Sequence, residues 1–207
     1  MKNNTARVIV WYATVAALLL VARVLDHIVT GWLPINAAII TLTVAYTCIF
    51  VKPTVKNGLI CGFIFGLMSL LTTIMFGSVT TSWGSFLTSF LNPCISVVPR
   101  LAVGVAAAGV FLLVRSKNNS HARYMVATAI ACVVATIVNT STVMGMITLF
   151  RNVNGAGANY FMVIYGVLGT NFLLEVIIPA IITPAVAWGV RRAIKNYLEQ
   201  DANGENA

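Results

Sequence analysis

The sequence predicts an all-α membrane protein with six transmembrane helices, from its composition, its hydrophobic runs and the placement of its basic residues. The 207 residues are 59% hydrophobic and only 9% charged, which is far more apolar than a soluble domain requires. A run of about 20 apolar residues is long enough to cross the hydrocarbon layer. The chain, residues 1–207, is therefore predicted to form a single integral membrane domain.

Hydrophobic runs separated by charged or Gly/Pro-rich breaks define the predicted spans. They cover about residues 7–23, 35–51, 58–76, 93–114, 123–150 and 161–190, and residues 196–207 form a polar tail. The last two runs exceed one crossing, so part of each is expected to tilt or to lie outside the hydrocarbon core. The first run is interpreted as a membrane helix, because no small-x-small cleavage site follows it.

The basic residues predict the orientation. Ten of the 13 Lys and Arg residues fall at span ends on one predicted side, and only Arg23, Arg100 and Arg151 fall towards the other. By the positive-inside rule, both termini are predicted to be cytoplasmic. The same placement argues against nucleic acid as the reason for the net charge of +8.

Polar residues inside the spans are the candidate functional residues. Arg100, Asn139 and Glu175 lie 15, 16 and 16 residues from the basic residue at the cytoplasmic end of their own span. All three are therefore predicted about 22 to 24 Å above the cytoplasmic face. Charge at that depth is usually functional unless it is paired.

This polar layer has two interpretations, which the sequence leaves open. The side chains bind a small polar molecule, or Arg100 and Glu175 form an ion pair that clamps the helices, with the asparagines as interhelical hydrogen bonds. The predicted substrate-binding residues are Arg100, Asn139, Asn171, Glu175, Asn92, Trp83, Thr140 and Tyr165.

The sequence gives no support for catalysis. It contains no HExxH, GxSxG or phosphate-binding glycine loop, and its two histidines, His27 and His121, lie near opposite predicted membrane faces. The four cysteines lie in apolar segments without a CxxC pair, so neither a disulfide framework nor a metal site is predicted. We expect no enzyme activity and no cofactor, and any use of ATP would belong to a partner.

Small residues recur at every fourth position in three spans. Gly58, Gly62 and Gly66 form the glycine face of the third span, Ala13 and Ala17 form the alanine face of the first, and the fifth carries Ala127, Ala131 and Ala135. Such faces let another helix approach closely. Whether that helix belongs to this chain or to a partner is not decided by the spacing.

The order of these motifs resembles the substrate-binding S components of energy-coupling factor (ECF) vitamin transporters. The resemblance rests on six spans, the small-residue faces, NPCISVVPR at 92–100, Asn139–Thr140 and NFLLEVIIPAIITPAV at 171–186. It covers roughly residues 8–195.

The resemblance implies a bacterial cell-membrane subunit that binds a water-soluble vitamin or its precursor from outside. Such a subunit associates with a transmembrane T component and two cytoplasmic ATPases. The alanine face, and in the third span the glycine face, would contact these partners. The NPxxxxxPR segment is most similar to the branch linked to pantothenate, whose carboxylate would suit Arg100.

Two other functions remain open at this point. A self-sufficient proton-linked secondary transporter would use Glu175 as its titrating group, although the sequence has no convincing internal repeat of the kind such carriers usually show. A purely structural membrane subunit would pack Arg100 against Glu175 in a dry interior.

Overall fold

The computed structural model describes residues 3–29, 37–49, 54–76, 86–89, 91–115, 121–155, 157–161, 176–189 and 192. The predicted all-α class is confirmed, since these residues are mainly helical and contain no strand. The helices are α1 (Asn3–Val29), α2 (Ala37–Ile49), α3 (Val55–Phe76), α4 (Pro93–Val114), α5 (His121–Val153) and α6 (Val176–Gly189).

Three of the described helices are long and apolar enough to cross a membrane. The qualifying stretches are Val55–Met75, Pro93–Val114 and Ala122–Val153, while α1 and α6 contain the shorter apolar stretches Ile9–Ala22 and Val176–Gly189. At 33 residues, α5 is about 50 Å long, which exceeds one crossing as its sequence predicts. The count of six spans and the cytoplasmic placement of the termini stay predictions.

The outward side of α3 is apolar, which is the reverse of a water-soluble helix. Leu59, Phe63, Leu67 and Leu71 follow one another at every fourth position and are 40 to 48% exposed. A soluble helix would carry polar residues on such a stripe. Its continuity along more than three turns is what a lipid-facing surface requires.

The ends of α4 follow from local chemistry. Asn92 caps the helix, because its side-chain oxygen accepts a hydrogen bond from the backbone N–H of Cys94 at 3.0 Å. Pro93 follows in the first turn, where its missing N–H costs no hydrogen bond. At the other end, Arg115 N–H donates to Phe111 O at 2.9 Å. The predicted bounds of this span, 93–114, coincide with the helix.

α4 lies between α3 and α5 and packs against both, while α2 contacts α1, α3, α4 and α5. At the junction of α4 and α5, the Phe111 and Tyr124 rings meet edge to face with their centroids 5.4 Å apart. Ala127, Ala131 and Ala135 of α5 are fully buried in this core. The core cluster includes Val15, Leu19, Ile40, Val44, Phe65, Val103, Ala107, Phe111, Ala127, Ala131, Ala135 and Ala187.

The glycine face of α3 packs directly on the backbone of α4. A Cβ added at Gly58 would overlap the carbonyl oxygen of Gly104, and one at Gly62 would overlap that of Arg100. A Cβ at Gly66 would lie 2.9 Å from Val97 Cα. The residue numbers fall on α4 as they rise on α3, so the two helices are antiparallel. Of the two interpretations of the glycine face, the structure therefore gives internal packing.

Candidate functional site

Arg100 is buried in the interior of the helix bundle. Only 5% of its surface is exposed, although it lies inside one of the most apolar helices. The close approach of α3 at Gly62 brings the Phe65 ring beside it, with the guanidinium carbon 5.6 Å from the ring centroid. A cation over an aromatic face is stabilised by the quadrupole of the ring, most strongly where water is excluded.

Arg100 also bonds to its own helix. Its Nη1 donates a hydrogen bond to the carbonyl oxygen of Ile95 at 3.2 Å. In a regular helix that carbonyl would accept from the N–H of residue 99, but residue 99 is proline and has none. The bond uses one of the five guanidinium donors, and Arg100 takes part in at least one further interaction.

Asn92 lies two turns before Arg100 and serves as the cap of α4. Besides accepting from Cys94, its side-chain amide donates to Leu87 O at 2.9 Å, and the residue is 5% exposed. Both ends of the carboxamide are therefore engaged with backbone. Its predicted contact with a substrate stays a prediction, and it would use the second amide hydrogen.

Asn139 and Thr140 lie on α5. The Oδ1 of Asn139 is buried and has no hydrogen-bond partner among the described residues. Thr140 is 9% exposed. Phe111 on α4 and Tyr124 on α5 are in contact, so they mark a common level of the two helices. Measured from that level, Asn139 lies four residues further along α5 than Arg100 lies along α4. The offset corresponds to about 6 Å, or one helical turn, where the sequence predicts one common depth.

Four of the buried hydroxyls in this bundle do not indicate a binding site. Thr72, Thr128, Thr136 and Thr148 each donate to the carbonyl four residues earlier in their own helix, at 2.8 to 3.0 Å. A hydroxyl bonded in this way is satisfied without a ligand. Asn139 differs from these threonines because its buried oxygen has no such bond.

The remaining predicted substrate-binding residues lie outside the described part of the chain. They are Trp83, Tyr165, Asn171 and Glu175. Two interpretations therefore stay predictions: an ion pair between Arg100 and Glu175, and the binding of a ligand by these side chains. Among the residues that are described, no three His, Cys, Asp or Glu side chains are grouped in a way that could hold a metal ion.

The two small-residue faces differ in accessibility. The glycine face is covered by α4 of the same chain, so a partner helix would have to displace α4 to reach it. Ala13 and Ala17 are exposed, although Val15 and Leu19 on the opposite side of α1 are buried in the core. Among the described residues, the alanine face is thus the one that a partner could reach without rearrangement.

Three further residues, which the sequence-based prediction did not include, contact Arg100 or the helix segment next to Asn139. Phe65 contacts the guanidinium, Ile95 accepts its hydrogen bond, and Tyr160 donates to the carbonyl oxygen of Ser141 at 3.2 Å, two residues beyond Asn139. A signal existed only for Ile95, since a proline at position 99 removes the donor of the carbonyl four residues earlier. The positions of Phe65 and Tyr160 depend on tertiary packing.

These features define a helical protein with membrane-length helices and a buried cationic side chain in its core. No protein-family model matches the chain, and no characterised protein matches it in sequence.

Proposed function

We propose that this chain is the membrane-embedded S component of an ECF-type importer, in the bacterial cell membrane. It binds a small water-soluble vitamin or its precursor from outside, with pantothenate as the best candidate. It does so with six spans and both termini in the cytoplasm, and it hydrolyses no ATP itself. A T component and two ATPase subunits provide the ATP-driven step.

The observation that carries this proposal is the buried guanidinium of Arg100. A charge inside an apolar helix is costly, and it is usually kept for a function. Arginine presents a planar fork of donors that suits a carboxylate. Its anchoring by Ile95 and Phe65 holds that fork in one place within the core.

The chemistry of pantothenate fits the available groups. The molecule carries one carboxylate, an amide and two hydroxyls, so it needs a cation at one end and hydrogen-bonding groups further along. Arg100 supplies the cation. The Oδ1 of Asn139, about one turn away along the helix axes, accepts from an amide N–H or a hydroxyl.

The exposed alanine face supports the choice of partners. Methyl groups at Ala13 and Ala17 leave room for a second helix to approach α1 closely. The neighbouring side chains Ile9, Val10 and Val21 are 55 to 63% exposed, so the face is continuous with an apolar surface that lipid covers when no partner is bound. We assign the contact with the T component to this face.

A binding experiment with a matched control tests the proposal. The purified chain in detergent is screened against water-soluble vitamins by thermal shift, and the affinity for pantothenate is measured by calorimetry. Arg100→Gln should abolish binding, whereas Arg115→Gln should leave it unchanged. Arg115 is a suitable control because it lies at the end of the same helix, with its guanidinium carbon also 5.6 Å from a phenylalanine ring, that of Phe111.

Two results would contradict the proposal. The proposal requires the folded wild-type chain to bind a vitamin at a one-to-one ratio without ATP, and the first contradicting result is that no vitamin binds in this way. The second is uptake into liposomes by the chain alone under a pH gradient, which would favour a proton-linked carrier that uses Glu175. Size-exclusion chromatography of each variant separates lost binding from lost folding.

A further inference from the structure

Pro99 is a buried proline in the interior of α4. Proline has no backbone N–H, and its ring pushes away the carbonyl of the residue four positions earlier. That residue is Ile95, whose side chain is fully buried. Without another donor, the helix would contain a carbonyl oxygen with no partner in the core, and such groups are rare in folded proteins.

The missing donor is supplied by the next side chain in the sequence. Arg100 Nη1 lies 3.2 Å from Ile95 O and donates to it. The carbonyl accepts a hydrogen bond from a charged side chain in place of the missing backbone N–H. The proline and the arginine are thus two halves of one local arrangement, since the first frees the acceptor and the second occupies it.

We propose that Pro99 is a positioning residue for the guanidinium of Arg100. Its missing N–H makes Ile95 O available, and the resulting bond fixes the guanidinium against the Phe65 ring in the orientation that receives a carboxylate. The part of this inference that concerns the ligand rests on the proposed function. The part that concerns the guanidinium does not.

Alanine at position 99 would change both halves of the arrangement. Its N–H would donate to Ile95 O as in a regular helix. The guanidinium would then compete with a backbone donor for this carbonyl, and its hydrogen bond would be weakened. Because alanine is a far better helix former than proline, the variant should fold at least as stably as the wild type. A role limited to packing predicts instead that stability and binding fall together.

The test compares Pro99→Ala with Pro93→Ala. Pro93 belongs to the same helix but lies in its first turn, where its missing N–H frees no carbonyl. Hydrogen exchange at the Arg100 guanidinium is measured by NMR on arginine-labelled protein in micelles, and the affinity for pantothenate by calorimetry. For Pro99→Ala we expect about tenfold faster exchange and about tenfold weaker binding, which corresponds to the loss of one charge-assisted hydrogen bond. The melting temperature should be unchanged or higher. Pro93→Ala should change neither exchange nor binding.

A third variant separates the missing N–H from the ring. The α-hydroxy analogue of alanine at position 99, introduced by nonsense suppression, has an ester in place of the amide and therefore also lacks the donor. We expect it to restore slow exchange at Arg100, since the freed carbonyl and not the ring fixes the guanidinium.

Several results would overturn the inference. These are equal exchange rates at Arg100 in wild type and Pro99→Ala, failure of the ester analogue to restore slow exchange, or faster exchange with unchanged pantothenate affinity. If Pro99→Ala does not fold, the wild-type chain alone provides the test. Hydrogen exchange at the Arg100 guanidinium as fast as at that of the exposed Arg151 would then overturn the inference. A wild-type chain that binds none of the water-soluble vitamins refutes the proposed function, while the exchange comparison still decides the role of Pro99.

Discussion

The alanine face of α1 and the glycine face of α3 follow the same spacing rule but lie in opposite environments. Gly58, Gly62 and Gly66 are buried so closely against α4 that a single added carbon at each would collide with it. Ala13 and Ala17 are exposed. The comparison teaches that small residues four positions apart create a helix face that another helix can approach closely. Close packing occurs only where a second helix has a complementary face.

The match for the glycine face is on α4. Gly104 lies opposite Gly58, so both helices lack a side chain at the point of closest approach. Backbones at this distance gain dispersion energy and weak Cα–H···O contacts that side chains would prevent. For the alanine face, the described part of the chain provides no such partner. Four experiments on the packing of α1 and α3 follow from this difference, in order of decreasing expected effect.

Gly62→Ala should have the largest effect on stability. Its Cβ would overlap Arg100 O and lie 3.0 Å from Leu101 Cα, and backbone atoms cannot rotate away. We expect the free energy of unfolding to fall by about 3 kcal/mol. Unfolding in micelles with increasing SDS, followed by circular dichroism, measures it.

Gly109→Ala is the matched control for that experiment. Gly109 is in the interior of α4, and a Cβ there would meet nothing within 4 Å. The same substitution should therefore stabilise the chain by up to about 1 kcal/mol, the difference in helix propensity. Equal destabilisation of the two variants would mean that the tight crossing of α3 and α4 is wrong.

Gly66→Ala should have an intermediate effect. The added Cβ would lie 2.9 Å from Val97 Cα and 3.3 Å from its side chain, so the clash is smaller and partly with a side chain. We expect a loss of about 2 kcal/mol. The double variant with Val97→Ala should recover a part of it, because one of the contacting methyl groups is then absent; no recovery would contradict the contact.

Tyr12→Phe should have a smaller effect. The Tyr12 hydroxyl donates to Asn57 Oδ1 at 3.2 Å and joins α1 to the first turn of α3. Removing one hydrogen bond between half-buried groups should cost about 1 kcal/mol. A double-mutant cycle with Asn57→Ala isolates the pair, and a coupling free energy near zero would show that this bond does not hold α1.

Ala13→Leu together with Ala17→Leu should have the smallest effect on the chain alone. Both positions are exposed, so the free energy of unfolding should change by less than about 0.5 kcal/mol. Under the proposed function, co-purification with a T component should nevertheless be lost, because the larger side chains keep the partner helix away. Ala185→Leu, at an exposed alanine of α6, is the control and should leave co-purification unchanged.

A large loss of stability in the double α1 variant would remove the contrast between the two faces. It would mean that the alanine face is packed within the folded chain in the same way as the glycine face. Unchanged stability with unchanged co-purification would leave the packing comparison intact and would contradict the assigned partner contact.

Local chemistry made α4 the most predictable element. Its predicted bounds match the helix, because Asn92 and Pro93 are start signals that act within one turn. Arg100 is buried in the helix bundle, whereas its predicted depth in a membrane stays a prediction. The predicted span at 35–51 is close to α2, whereas α1 begins and ends outside its predicted bounds, since hydropathy marks the apolar stretch and not the polar turns that continue the helix.

The candidate site was predictable only in part. Arg100, Asn139 and Thr140 are recognisable as polar residues in apolar spans, but their neighbours are not. Phe65 lies 35 positions before Arg100 in the sequence, and it contacts the guanidinium only because Gly62 lets α3 approach. The cap formed by Asn92 shows the opposite case, in which a residue chosen for a substrate is engaged locally with backbone.

The sequence by itself determined the helices, their apolar surfaces, the charge inside α4 and the carbonyl that Pro99 leaves without a donor. Each of these depends on hydropathy or on covalent structure within one or two helical turns. Only the tertiary structure decided that the glycine face meets α4, that the alanine face stays exposed and that Phe65 lies beside Arg100. The reason is that helical spacing fixes which residues share a face, whereas the partner of that face is set by packing between segments far apart in the chain.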